Sequence, residues 1–242
     1  MTAVQRLAGP SEHVVAVVAH PDDAELLCYG TLRQARLAGA AATVVVVTHG
    51  ANGVSVADSD AGRRLDEDDR AAEVRAAWAG TGVDTVFLGL PDGALAPDRD
   101  LISAVERELA GRRCTVLITH SLRAANDHQD HLAVGTAAAN AATRVPSCHT
   151  VLHGEPHAPR SGFTPTVLVD ITSFLDDKVL ALKAHQSQAG RWYLGEEYTR
   201  HQAAQAAWRL RPTAATDGRV FETFETSVLT LTFTSAGKEP RS

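Results

Sequence analysis

Short apolar runs recur along this chain, and most are followed by a segment whose apolar residues return every three or four positions. Val14–Ala19 shows no alternation at all, the pattern of a strand buried on both faces. Glu25–Leu37 then has helical spacing and stops at Gly39. The same logic predicts strands at Thr43–Thr48, Asp84–Leu90 and Thr115–Thr119, with helices at Glu67–Ala79, Leu101–Ala110 and about Asp130–Ala142. Further strands are expected at about Thr150–His153, Thr166–Ile171 and Thr226–Thr232, and helices at about Phe174–Gln186 and Glu196–Arg209. Loops fall at Gly50 to about Asp60 and at His120–Gln129, and Pro91-Asp92-Gly93 is a turn in which Pro fixes φ and Gly frees it. Strand and helix alternate, so the pattern predicts a single Rossmann-like α/β domain of three layers over residues 1–242. A mostly parallel sheet would carry helices on both faces. Residues 1–12 and 236–242 are expected to be frayed.

Four of the predicted strands end in polar clusters: His20-Pro21-Asp22-Asp23, Thr48-His49-Gly50, Pro91-Asp92-Gly93, and His120 with its loop. A parallel sheet places all four on one rim, where open α/β folds bind ligands. A fifth cluster, His128-Gln129-Asp130-His131, sits at a helix start, with His128 and His131 spaced to face the same way. A hydrolytic zinc site needs three protein ligands and an open position for water. His20, Asp23 and His131 would supply that set; Asp22 would be the general base and His128 would donate to a developing oxyanion. Each cluster also has a plain structural reading. His20-Pro21-Asp22-Asp23 could be a turn that caps the next helix, and the His-x-x-His pair a solvated face with Asp130 as a cap. His49 and His120 read as structural or supporting, and no role is assigned to His13, His149, His153, His157 or His201.

Composition narrows the classes. The formal net charge of −6 argues against a general affinity for nucleic acid, which needs basic patches. No run approaches the roughly 18 apolar residues of a membrane span, and Met1–His13 has neither a basic nor an apolar signal region. Three widely spaced cysteines suit a reducing, cytoplasmic setting. There is no Gly-x-Ser-x-Gly elbow, no phosphate-binding loop and no Gly-x-Gly-x-x-Gly.

Ala19-His20-Pro21-Asp22-Asp23-Ala24-Glu25, followed by Gly30-Thr31-Leu32, resembles the signature of the LmbE-like (PIG-L) family of zinc-dependent N-deacetylases. The likeness runs from about Val14 to Gln188: Arg70-Ala71-Ala72-Glu73, Phe87–Gly93, His128–His131 and His185-Gln186-Ser187-Gln188 are each similar to a family element. The resemblance implies removal of an acyl group, usually acetyl, from the nitrogen of a small metabolite, most often an amino sugar. It implies His20, Asp23 and His131 as ligands of one Zn²⁺, for which Fe²⁺ or Co²⁺ could stand in. Asp22 becomes base and then acid, His128 the oxyanion donor, and Asp130 the group that orients a histidine. Arg70 and Asp92 become candidates for holding substrate. The chain departs from the family at Leu27 and Tyr29, where small residues are usual, so Tyr29 is a candidate to shape the substrate pocket. A non-sugar N-acyl substrate, or a non-catalytic binding protein on the same fold, are the alternatives. A homo-oligomer is compatible with either.

Overall fold

A strand with apolar side chains on both faces has to be covered on both faces, and His13–Val18 lies accordingly in the middle of the sheet. The computed structural model describes residues 7–122, 128–157 and 162–230. Its strands are β1 (His13–Val18), β2 (Ala41–Thr48), β3 (Asp84–Leu90), β4 (Val116–His120), β5 (Thr150–Gly154), β6 (Val167–Asp170) and β7 (Phe221–Leu229). Its helices are α1 (Asp23–Leu37), α2 (Val56–Asp60), α3 (Glu67–Ala77), α4 (Arg99–Gly111), α5 (Gln129–Ala142), α6 (Leu175–Lys183), α7 (Glu196–Leu210) and α8 (Pro212–Thr216). The strands form one sheet in the order β3-β2-β1-β4-β5-β7-β6. β1 to β5 run parallel, and β7 runs antiparallel between β5 and β6. The expected three-layer α/β architecture is therefore present.

Alternate residues of β1 feed two cores. Val14, Ala16 and Val18 pack with Leu32 of α1 and Val74 of α3 on one face. Val15 and Val17 pack with Leu101, Val105 and Leu109 of α4 and Val134 of α5 on the other. α5 comes unusually close to the sheet, because a Cβ on Gly135 would lie 2.8 Å from the carbonyl oxygen of His120. That approach brings the His131 ring into a parallel stack on His120, centroids 4.1 Å apart.

Four details differ from the sequence pattern. Residues 7–12 are not frayed: Leu7 and Ala8 pack on the core, and Glu12 N–H donates to the Gly9 carbonyl in a turn before β1. The loop after β2 contains the short α2, started by Ser55, whose side chain accepts from Asp58 N–H. The last strand begins at Phe221, not Thr226, because its early residues include the charged Glu222, which a hydrophobic pattern reads as solvent-facing although it is buried. Residues 1–6 of the expected frayed start, 123–127 of the expected loop, 231–232 of that strand and the tail 236–242 lie outside the described residues. Finally, α1 is kinked at Cys28, whose φ of −151° and ψ of 21° are not helical.

Candidate active site

The turn after β1 bends so tightly that Asp22 adopts φ 107° and ψ −24°, a left-handed conformation that a non-glycine residue takes only where its surroundings impose it. Arg70 of α3 is the main restraint. Its Nη2 donates to the Pro21 carbonyl and lies 3.4 Å from Asp22 Oδ2. Its Nη1 donates to Glu73 Oε2 and Ser187 Oγ, each at 3.2 Å. Ser187 in turn donates its backbone N–H and hydroxyl to Glu73, at 2.6 and 2.7 Å. Gly50 leaves room for this clamp, since a Cβ there would sit 2.9 Å from Pro21 Cδ and 3.3 Å from Arg70 Nε.

Asp23 opens α1 and is fixed by accepting the His20 backbone N–H at 2.7 Å. Donor atoms of three residues then converge, Asp23 turning Oδ2 to His20 and Oδ1 to His131. His20 Nδ1 lies 3.2 Å from His131 Nε2 and 3.4 Å from Asp23 Oδ2, and His131 Nε2 lies 3.2 Å from Asp23 Oδ1. Tetrahedral ligands about 2.0–2.1 Å from a zinc ion stand about 3.3 Å from one another, so these spacings and this nitrogen-and-oxygen donor set fit a small dication. His20 Nε2 faces the other way, 3.2 Å from Asp130 Oδ2 and 3.3 Å from Asp92 Oδ1. Asp130 is wholly buried and accepts from Gly93 N–H at 2.7 Å and Leu95 N–H at 3.1 Å. A carboxylate held in this way is placed to accept from His20 Nε2.

Burial pushes the Asp22 carboxyl up to about 6, against the pull of Arg70. Burial works in the same direction on Asp23, but the adjacent His131 and His120 outweigh it and hold that carboxyl well below the usual range. Two adjacent aspartates are thus split, one easily protonated and one firmly ionised.

The sequence model for the GlcNAc-PI de-N-acetylase (PIG-L) family matches residues 15–142, more than half of the chain. The chain belongs to the PIG-L family. Among its relatives is the 1D-myo-inositol 2-acetamido-2-deoxy-alpha-D-glucopyranoside deacetylase 1 of Saccharopolyspora erythraea, 26% identical over 237 residues, covering 74% of this chain and 78% of that protein. The fold is shared with the 4-carboxy-2-hydroxymuconate hydratase of Pseudomonas putida KT2440, with a TM-score of 0.76 and 24% identity over 93% of this chain and 100% of that one. It is also shared with the N,N'-diacetylchitobiose deacetylase of Pyrococcus horikoshii, with a TM-score of 0.74 and 18% identity over 90% of this chain and 84% of that one. A fold that houses a hydratase as well as a deacetylase does not choose the reaction by itself.

In this PIG-L protein the donor cluster lies in a cleft of about 510 Å³, whose walls include Asn52, Val54, His157, Gln188, Arg191 and Tyr193. His128 lines the cleft too. Its ring stands edge-on to His20 at 4.7 Å, and its Nδ1 accepts the Asp130 N–H at 3.2 Å, so His128, not Asp130, caps α5. Tyr29 does not reach the cleft: it is buried in the core with its ring 4.7 Å from Trp78 and its hydroxyl 3.2 Å from Arg33 Nη1. The helical turn carries it to the face of α1 that meets Trp78, away from the pocket its place in the motif suggests. Arg70 touches the cleft but is only 2% exposed and spends its guanidinium on the protein. Asp92 likewise accepts from Asn52 N–H at 2.6 Å beside His20.

His120 is the residue that sequence spacing undervalues. Its Nε2 accepts the Ala19 N–H at 2.9 Å and lies 3.5 Å from Asp23 Oδ2. With Asp23 and His131 it forms one set of potential donors within 4.8 Å of one another; among the described residues His20, His128 and His131 form another, and His20, Asp92 and Asp130 a further one. Its position at the end of β4, on the same rim as His20, is the signal that marks it. His157 joins the wall through its ring, 4.3 Å from Tyr193, and nothing in the sequence around it points there.

Proposed function

We propose that this protein is a metal-dependent N-deacetylase that hydrolyses the acetamide of a small amino-sugar conjugate. The observation that carries the reading is the meeting of His20, Asp23 and His131 at ligand spacing beside a buried, easily protonated Asp22. The relative that acts on a 2-acetamido-2-deoxy-glucopyranoside supports the substrate class. His20, Asp23 and His131 would hold the ion, zinc by donor chemistry, although Fe²⁺ or Co²⁺ suits the same set. When bound, such an ion lowers the pKa of water to about 7 and polarises a carbonyl oxygen.

The remaining steps belong to this chain's own side chains. Asp22 takes the proton from the attacking water and returns it to the departing amine nitrogen, and a carboxyl near pKa 6 is matched to both tasks. Arg70 holds Asp22 in its left-handed conformation, so its role is to place the base and not to bind substrate. His128 donates to the oxyanion as it develops, and Asp130 keeps His20 turned toward the ion. Asn52, Arg191 and Tyr193, at the cleft wall, are left to meet the sugar. The three cysteines are free thiols, which supports a cytoplasmic setting, and among the described residues no helix is long and apolar enough to cross a membrane.

Amine release from a panel of N-acetyl compounds, with and without a pyranose ring, tests the proposal. Turnover of the amino sugars alone supports it. Turnover of N-acyl amino acids instead moves the substrate class, and stoichiometric zinc with no turnover favours a binding protein.

A further inference from the structure

α1 is broken where a helix should continue, and the break is filled by a buried ion pair. In an unbroken helix Gly30 N–H would donate to the Leu26 carbonyl and Thr31 N–H to that of Leu27. The non-helical Cys28 prevents both. Gly30 N–H donates instead to Glu222 Oε1 at 3.0 Å, and Thr31 donates its N–H and hydroxyl to Glu222 Oε2 at 2.8 and 2.6 Å. The freed Leu26 carbonyl accepts from Lys178 Nζ at 2.8 Å, and that ammonium lies 2.7 Å from Glu222 Oε1. The pair thus sits inside the broken bond, with the carbonyl on one side and the amide on the other. Lys178 is 6% and Glu222 4% exposed, on α6 and β7, far apart in sequence.

The break has a geometric consequence. Beyond it α1 presses against the sheet edge, since a Cβ on Gly30 would fall 2.4 Å from Ile171 Cγ2. Before it, the turn carrying Asp23 and Glu25, with Asp22 as its cap, follows a separate direction. We infer that Lys178 and Glu222 are positioning residues, which set the direction of the first turn of α1 and through it the placement of Asp22 and Asp23. This inference rests on the proposed metal-dependent reaction, in which those two aspartates act.

The double variant Lys178→Met/Glu222→Leu removes both charges at once, which avoids the cost of an unpaired buried ion and lets Gly30 N–H return to the Leu26 carbonyl. Cobalt binding and its visible absorption spectrum, thermal unfolding and steady-state kinetics are measured on it and on the unaltered protein. A folded double variant with cobalt affinity or kcat lowered about 10–100-fold, a changed spectrum and a nearly constant KM is expected. Unchanged affinity, spectrum and kcat would overturn the inference. If the double variant does not fold, Glu222→Gln, which keeps the volume and one acceptor oxygen, is read against the same two outcomes. If the unaltered protein binds no cobalt, the proposed function has failed, and the inference is read separately from amide NMR shifts of Asp22, Asp23 and Glu25. Those shifts move in the variant if the pair directs the turn, and stay if it does not.

Discussion

At Asp22 the proposed role as base and the stability of the fold pull against each other. Its positive φ costs about 1–3 kcal/mol for a side chain with a Cβ, and its carboxylate is buried. Asp22→Gly should therefore raise the unfolding temperature while abolishing amine release, which calorimetry and the assay check together. Asp22→Asn should retain the metal and lose about 10²–10⁴-fold in kcat. A pH effect follows in the metal-free protein. The Asp22 pKa is raised from 3.8 to about 6, so the folded state binds the extra proton and this residue's contribution to stability falls as pH rises through that interval. Asp22→Asn should lack that fall, as denaturant titrations at pH 4 and pH 7 would reveal. The meeting of His20, Asp22, Asp23 and His131 at one place was legible from residue type at a strand end and a helix start. The inward turn of Arg70 and the core position of Tyr29 were not, because sequence order does not say which side of a helix meets the cleft and which meets another helix.

At the scale of elements, the site depends on how closely α5 approaches the end of β4. Gly135→Ala would force a methyl group to within 2.8 Å of the His120 carbonyl oxygen, and α5 must shift to relieve it. His131 lies one turn earlier on that helix, so the variant should lower metal affinity with the fold largely kept, as metal titration and circular dichroism would show. His131→Ala should lose the metal more completely. Parallel strands buried on both faces announce themselves by unbroken apolar runs, which is why β1, β2 and β4 were legible. β7 was only half legible because Glu222 stands in it as a buried partner of Lys178. Likewise, the kink at Cys28 leaves no trace in the helical spacing of α1, since the groups that bond to its open amides and carbonyl lie on α6 and β7.

For the whole molecule, the order β3-β2-β1-β4-β5-β7-β6 gathers the ends of β1, β3 and β4 and the start of α5 at one rim. The proposed ligands come from β1's turn, α1 and α5, so an ion held by them would tie distant parts of the chain together. Binding to the folded state alone stabilises it by about 2.7 kcal/mol at a metal concentration one hundred times Kd, and a chelator should lower the unfolding temperature accordingly. The most direct test of the central claim is amine release from an N-acetylated amino sugar by metal-stripped protein titrated with zinc. The account predicts no release without metal, a rise that saturates near one equivalent, and almost none from Asp22→Asn at any zinc level. Release that is independent of metal, or undiminished in Asp22→Asn, would contradict it.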